Sequence, residues 1–284
     1  MACELPASCS IHALMQPETY QNLLTQGAAV NLSTRSKWKL SGEDRVRYLN
    51  GQVTHDVRRA DECHAIYACV TNVKGRIMGD VMIHARQEAL WLDAEPDLRD
   101  ALGMRLEKYI VADDVELTDV TDEWQLWHIM GPKAGEGLQS LRFGIPGVDV
   151  WLPAGEGFDP TLPILSLEEV ERLRIIHQVP RWPNELGGET FPPEAGLEER
   201  AMDFSKGCYI GQEILSRIKT TGKMPRKLQS WQTEREICVG TSLHDAHGNE
   251  IGVVTSAARH PLSGKLIVLG FIKCGCGPAM EFAS

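Results

Sequence analysis

Alternating apolar and polar residues in the first half of the chain predict short strands built around one hairpin. Strand-like runs cover His64 to Thr71, Ile77 to His84 and Ala89 to Ala94. Between the first two, Asn72-Val73-Lys74-Gly75 has the residues of a tight turn. Three further strands are predicted in this part of the chain, at Lys37 to Leu40, Val115 to Val120 and Gln125 to Met130.

Other segments have the spacing of helices. Leucine or isoleucine recurs every four residues from Leu98 to Ile110, behind Pro96. Ser166 with Glu169 forms a capping-box pattern ahead of a second helix. Two more helices are predicted, one near Ala134 to Leu141 and one opened by a capping box at Ser41 to Asp44.

The predicted secondary structure changes after Pro225, from mixed helices and strands to short strands. The segment Pro180 to Gly196 is rich in proline and glycine and is predicted to be a long loop that is functional or wraps the surface of a domain. After Pro225, short β-type runs punctuated by Gly, Asn and Pro predict a small antiparallel barrel or sandwich. We place the domain boundary near residues 223–227, which divides the chain into residues 1–225 and 226–284.

The charge balance argues against a nucleic-acid-binding protein. Lys and Arg total 29 against 39 Asp and Glu, a formal charge of −10, whereas phosphate affinity requires positive charge. No apolar run reaches the roughly 18 residues of a membrane span. The first residues lack the basic start and continuous apolar stretch of a signal peptide. We therefore expect a cytoplasmic protein.

Eight cysteines are scattered along the chain, at positions 3, 9, 63, 69, 208, 238, 274 and 276. Without a secretion signal they are expected to be free thiols rather than a disulfide framework. Cys274 and Cys276 form the only close pair, and without a second pair or clustered histidines no metal site is predicted.

The segment Lys206 to Glu213 has the strongest chemical pattern. Two glycines allow close backbone approach, and Cys208 lies two residues from the ammonium of Lys206. If a helix starts at Gln212, its positive end and the ammonium would both favour the thiolate. A loop–helix junction with a buried cysteine accounts for the same residues, and both interpretations remain open.

The run Lys-Gly-Cys-Tyr-Ile-Gly-Gln-Glu, continued by Ile214 to Arg217, resembles the signature of YgfZ-type folate-binding proteins. These are relatives of the glycine-cleavage T-protein, an aminomethyltransferase. The resemblance extends over most of the chain, through Trp38 to Val57, Asn72 to Asp80, Lys108 to Val115, Phe191 to Leu197 and Gly252 to Ser256.

The resemblance implies an α+β fold and a folate cofactor. Its body would consist of two α/β subdomains around a central channel for tetrahydrofolate or another folate, followed by a small C-terminal antiparallel β-barrel. Trp38 would stack on the pterin, unless it packs a strand. Asp80 would lie beside the folate nitrogens, although T-proteins have an aspartate pair where this chain has Gly79 before Asp80. Hydrogen bonds within the hairpin are the alternative role for Asp80.

The signature supplies the remaining expected site residues. Cys208, Lys206 and Asp80 are the catalytic candidates, and Tyr209, Gln212 and Arg217 are further folate contacts. The stretch from Ile214 to Thr233 has five basic and no acidic residues: Arg217, Lys219, Lys223, Arg226 and Lys227. It would be a solvated face, a holder of the folate glutamate tail, which we favour, or an RNA contact.

Two functions follow from the resemblance. The first is a folate-binding accessory factor for iron–sulfur cluster assembly or repair, which supports tRNA modification indirectly and works with iron–sulfur proteins or assembly factors. In it, Cys208 is a redox-sensitive thiol or a transient ligand. The second is a tetrahydrofolate-dependent aminomethyl or one-carbon transferase. The thiol and the missing acidic pair favour the first, in which no turnover is established.

Overall fold

The computed structural model describes residues 15–276 and the two strand residues 281 and 282. The helices are α1 (Pro17–Thr25), α2 (Arg45–Gln52), α3 (Arg99–Glu107), α4 (Leu167–Ile176), α5 (Glu198–Ala201) and α6 (Gln212–Thr221). The strands up to residue 153 are β1 (Ala28–Asn31), β2 (Ser36–Ser41), β3 (Ile66–Thr71), β4 (Ile77–Arg86), β5 (Ala89–Ala94), β6 (Glu116–Asp119), β7 (Trp124–Met130), β8 (Leu138–Ser140) and β9 (Gly147–Pro153). The later strands are β10 (Ile164–Leu165), β11 (Arg226–Thr233), β12 (Ser242–His244), β13 (Glu250–Arg259), β14 (Leu266–Lys273) and β15 (Glu281–Phe282).

The first sheet is antiparallel, with strand order β3-β4-β5-β2-β6. Its β3–β4 hairpin confirms the predicted turn, since the Asn72 side chain accepts hydrogen bonds from the amides of Lys74 and Arg76. One face of the sheet packs on α2 and α3 through residues such as Val81, Leu92 and Leu102. Because side chains alternate between the two faces of a sheet, the remaining side chains of these strands lie on the opposite face, which is directed toward the interior of the protein.

The second sheet has the order β10-β1-β7-β9-β8. Strands β1 and β10 run parallel, and the other pairings are antiparallel. Its core joins α1 and α4 to the free face of the first sheet, through contacts that include Leu23, Leu173 and Trp91. The two sheets and their helices form the predicted two-part α/β body.

The third sheet, β11-β14-β13-β12-β15, is antiparallel and has a core of its own around Val254 and Val268. It packs on α4, where Ile175 meets Ala258 and Ile267. The α+β class and the C-terminal antiparallel sheet are therefore as predicted. Among the described residues the strand pairings form an open sheet, without the closing pair of a barrel.

Two helix predictions are wrong in detail. Residues 138–140 form β8 instead of a helix, because Gly135 and Gly137 adopt positive φ angles of 82° and 155° that interrupt helical backbone. The Ser41 to Asp44 capping box does not form, since Ser41 belongs to β2 and α2 starts after Asp44 without a side-chain cap. By contrast, Ser166 and Glu169 form the predicted capping box of α4.

Candidate functional site

A small cavity lies between the first two sheets. Its walls include Asp80 and Tyr67 from the free face of the first sheet, and Arg142, Phe143 and Arg174 from the second body. The free space is about 60 Å³, which holds a few water molecules. A larger ligand therefore requires a wall of this central cavity to move.

Asp80 is the unsatisfied polar group of the central cavity. Tyr67 donates a hydrogen bond of 2.9 Å to Asp80 Oδ2, whereas the buried Oδ1 has no partner among the described residues. Burial raises the pKa of the Asp80 carboxyl to about 6, with Glu95 adding to the rise and Arg35 opposing it. A carboxyl of this kind accepts hydrogen bonds from a ligand amine and exchanges a proton near neutral pH.

The two most deeply buried arginines around the cavity are already paired. Arg142 binds Asp93 and Asp149, each at 2.7 Å, and Arg174 binds Glu185 at 2.9 Å. These buried guanidiniums are therefore committed to the protein, and Asp80 Oδ1 is left as an acceptor for a ligand N–H group.

Trp38 does not share a face with Asp80. The strand register pairs Trp38 with Leu92, whereas Asp80 pairs with Cys69 on the opposite set of positions. Trp38 is 2% exposed and packs toward α3, with its indole near Gly103. The geometry gives it the strand-packing role and no contact with the cavity, so stacking on a pterin finds no support here.

Position 79 also faces away from the cavity. A β-carbon on Gly79 would lie 3.2 Å from Leu98 Cδ1 and 3.3 Å from Leu102 Cδ1 on α3. An aspartate at position 79 would therefore enter the apolar core rather than the cavity, and the carboxylate next to Asp80 in the cavity wall is Glu95 instead.

The signature loop packs on the β3–β4 hairpin, at the far end from the cavity. Gly211 has a φ of +88°, and a β-carbon there would lie 2.6 Å from the Asn72 carbonyl oxygen. The Ile210 amide donates to the Gly51 carbonyl at 3.1 Å. As predicted, a helix, α6, begins at Gln212, directly after this junction.

The Lys206 side chain donates its hydrogen bonds to backbone carbonyls of the protein itself. Its buried ammonium donates to the carbonyls of Asn50, Val53 and His55 at 2.6, 2.7 and 2.9 Å, in the last turn of α2 and just after it. Burial lowers the pKa of this ammonium to about 8. The three carbonyls occupy its donors, so the geometry does not support a catalytic role.

The other signature residues differ in exposure. The Cys208 thiol is exposed to solvent, which removes the alternative of a buried, inert cysteine. Tyr209 is buried among Met202 and Leu215, and burial raises the pKa of its phenol to about 12. Gln212 is half-buried at the first turn of α6, and Arg217 is exposed on that helix. None of the four lines the central cavity.

The predicted site is thus divided between two places. Asp80 lines the central cavity, whereas Cys208 lies outside it, in the signature loop that contacts the turn of the β3–β4 hairpin through Gly211. The basic stretch follows the thiol: Lys219 lies over Phe204, and Arg226 pairs with Glu194. Holding the folate tail with this stretch is therefore not supported by the geometry.

Sequence reasoning missed the residues that surround Asp80. Tyr67, Arg35, Glu95 and Arg142 come from segments far apart in the chain, and only the tertiary structure joins them. One local signal was present, because Arg174 interrupts the apolar face of α4 and must be buried with a partner.

Neither a metal cluster nor a membrane helix is found in the part of the chain that the structure describes. Within residues 15–276, no three His, Cys, Asp or Glu residues are grouped to hold a metal ion. No helix over the same residues is both long and apolar enough to cross a bilayer.

Comparison with known proteins identifies the fold. The family model described as the GCVT N-terminal domain matches residues 11–145. The glycine cleavage system aminomethyltransferase T from Bartonella henselae aligns with a TM-score of 0.80 over 89% of this chain and 80% of that one, at 18% identity. The fold of this chain is therefore similar to the fold of that aminomethyltransferase.

Residues 11–145, somewhat less than half of the chain, are similar to the GCVT N-terminal domain, in line with the resemblance that the signature indicated. The chain is 28% identical to a mitochondrial iron–sulfur cluster assembly factor IBA57 homolog of Phaeosphaeria nodorum, over 69% of this chain and 53% of the relative. It is 25% identical to an aminomethyltransferase of Rubrobacter xylanophilus, over 89% of this chain and 78% of the relative. The chain spans between 53% and 59% of the two IBA57 relatives that it matches.

Proposed function

We propose that this protein binds tetrahydrofolate in the central cavity and supports iron–sulfur cluster assembly or repair through Cys208. The observation that carries the proposal is the exposed thiol at the start of α6, in the signature that resembles YgfZ-type proteins. The similarity to assembly factors of the IBA57 type supports it. Effects on tRNA modification would follow from the cluster enzymes that it serves. A cytoplasmic location stays a prediction.

The folate part of the proposal rests on Asp80. A reduced pterin presents adjacent N–H donors, and the unpartnered Asp80 Oδ1 is an acceptor in a cavity whose buried Arg142 and Arg174 are already paired. Calorimetric titration with tetrahydrofolate measures this binding, and its result is independent of the thiol.

The thiol part is tested in cells that lack the native protein. Cys208→Ala should keep the fold and the affinity for folate, because Cys208 is exposed and does not line the cavity. Cells that carry this variant should not regain the activity of their iron–sulfur enzymes. Cys63→Ala, which removes another exposed thiol, is the matched control and should complement fully. Full complementation by Cys208→Ala would exclude the thiol role.

A one-carbon transferase is the second candidate, favoured by the similarity to aminomethyltransferases over most of the chain. In that function Asp80 accepts a proton from the substrate amine. Asp80→Asn would then abolish turnover of tetrahydrofolate, whereas Cys208→Ala would leave it intact. An assay for aminomethyl transfer by the purified protein distinguishes the two functions.

A further inference from the structure

One side chain, Arg181, lines three neighbouring spaces. They are the central cavity, a side cavity of about 100 Å³ beside α4, and a groove of about 730 Å³ between α4 and the third sheet. None of the other residues found in the walls of these spaces lines all three. Arg181 therefore lies in the partition between the central cavity and the groove.

The partition is held by ion pairs of unequal strength. Arg181 binds Glu95 at 2.6 Å and Glu171 at 2.9 Å, but its side chain is 44% exposed. Arg174, the other cation of the partition, is 2% exposed and bound to Glu185. Because water screens exposed pairs, Arg181 can exchange its partners at small cost, whereas Arg174 is fixed.

The groove has walls that suit an aromatic ring followed by a carboxylate. Ile175, Val239 and Val254 give it an apolar lining, and Arg172 and Arg181 are its cations. An incoming carboxylate is a chemical equivalent of Glu171, one of the two present partners of Arg181.

We propose that this groove binds the p-aminobenzoyl-glutamate tail of the folate, and that Arg181 exchanges Glu171 for a tail carboxylate when the ligand enters. The exchange joins the central cavity to the groove, which gives a ligand much larger than 60 Å³ the space that it needs. The inference rests on the proposed folate binding and replaces the basic stretch of α6 as the tail site.

Calorimetry with two ligands tests the inference: tetrahydrofolate, and tetrahydropteroate, which lacks the glutamate. Arg181→Ala should weaken tetrahydrofolate binding about tenfold and tetrahydropteroate binding less than about twofold, since only the former has the tail carboxylates. Glu171→Gln should strengthen tetrahydrofolate binding, because it removes the competing carboxylate while Arg174 keeps Glu185. Arg99→Ala is the control: Arg99 has a side chain 39% exposed, is paired with Asp119 and Asp122, and lies outside the three spaces.

The outcomes separate the two proposals. Equal affinities of the unmutated protein for the two ligands, or an equal effect of Arg181→Ala on both, would overturn the tail site and leave folate binding intact. Binding of neither ligand would remove the proposed function as well. If Arg181→Ala does not fold, Glu171→Gln decides the matter, and an unchanged or weaker affinity for tetrahydrofolate contradicts the exchange.

Discussion

At the scale of single residues, the central question is the free-energy cost of burying the Asp80 carboxyl. Desolvation disfavours the charged carboxylate, and one hydrogen bond from Tyr67 only partly offsets this. The folded protein therefore holds the Asp80 proton more tightly than the unfolded chain. A ligand that supplies N–H donors would reverse this preference, so ligand binding and ionisation of Asp80 are linked.

This linkage predicts a pH-dependent stability. The pKa of Asp80 rises from 3.8 to about 6 on folding, so the free energy of unfolding falls as the pH rises from about 4 to about 6. Asp80→Asn should therefore stabilise the protein at pH 7.5, by up to about 3 kcal/mol, with a gain that vanishes near pH 4. Urea unfolding at both pH values measures it, with the exposed Asp97→Asn as the control. A gain that is independent of pH would contradict the explanation.

Replacing Lys206 should destabilise the protein, whereas Asp80→Asn should stabilise it. Replacing Lys206 with Met leaves three backbone carbonyls without their donor, which should cost about 2–4 kcal/mol of stability. The exposed Lys223→Met should change stability by less than about 0.5 kcal/mol. Urea unfolding of the two variants measures both changes in the free energy of unfolding. A Lys206→Met variant of unchanged stability that fails to complement would restore a catalytic role for this lysine.

At the scale of elements, the packing of the hairpin on α6 positions the thiol. A β-carbon on Gly211 would lie 2.6 Å from the Asn72 carbonyl oxygen and 2.9 Å from Gly75 Cα, at a φ that L-residues avoid. Gly211→Ala should therefore cost about 2–4 kcal/mol and change the rate at which Cys208 is alkylated. Gly207→Ala is the matched control, because no atom lies within 4 Å of a β-carbon there. Equal stabilities of the two variants in urea would show that the close approach is unimportant.

The same elements show what local sequence determines. The α4 capping box and the Asn72 turn are local hydrogen-bond patterns, and both form as predicted. The helix near residue 138 was wrong, because two glycines with positive φ and the edge of β9 outweigh its local apolar pattern. Strand β9 itself was missed, because Gly147 and Pro153 at its ends resemble loop residues.

At the scale of the whole molecule, the candidate site could be predicted only in part. Asp80 was found because it belongs to a motif, but its partner Tyr67 and the neighbouring Arg142 depend on how two sheets meet. Trp38 lies on the opposite face of the sheet from Asp80, because the face on which a residue lies depends on strand register, which neighbouring sequence does not reveal. The separation of thiol and cavity is likewise a property of the fold.

Because the thiol lies outside the cavity, the molecule has two separate candidate sites, and β4 connects the hairpin turn to the cavity. The hairpin that ends at Gly75 touches the signature loop, and Asp80 lies on the strand that follows it. A ligand in the cavity and a partner at Cys208 would therefore occupy the protein together, and folate affinity should not change when Cys208 is alkylated. Calorimetry on the alkylated protein checks this, and a large loss of affinity would show that the two places are one site.

The most direct test of the account is the calorimetric titration of the unmutated protein with tetrahydrofolate, repeated with Asp80→Asn. We predict saturable, one-to-one binding that weakens at least about tenfold in the variant, the effect of one charge-assisted hydrogen bond. No saturable binding at millimolar tetrahydrofolate, or equal binding by both proteins, would contradict the claim that the central cavity is a folate site organised by Asp80.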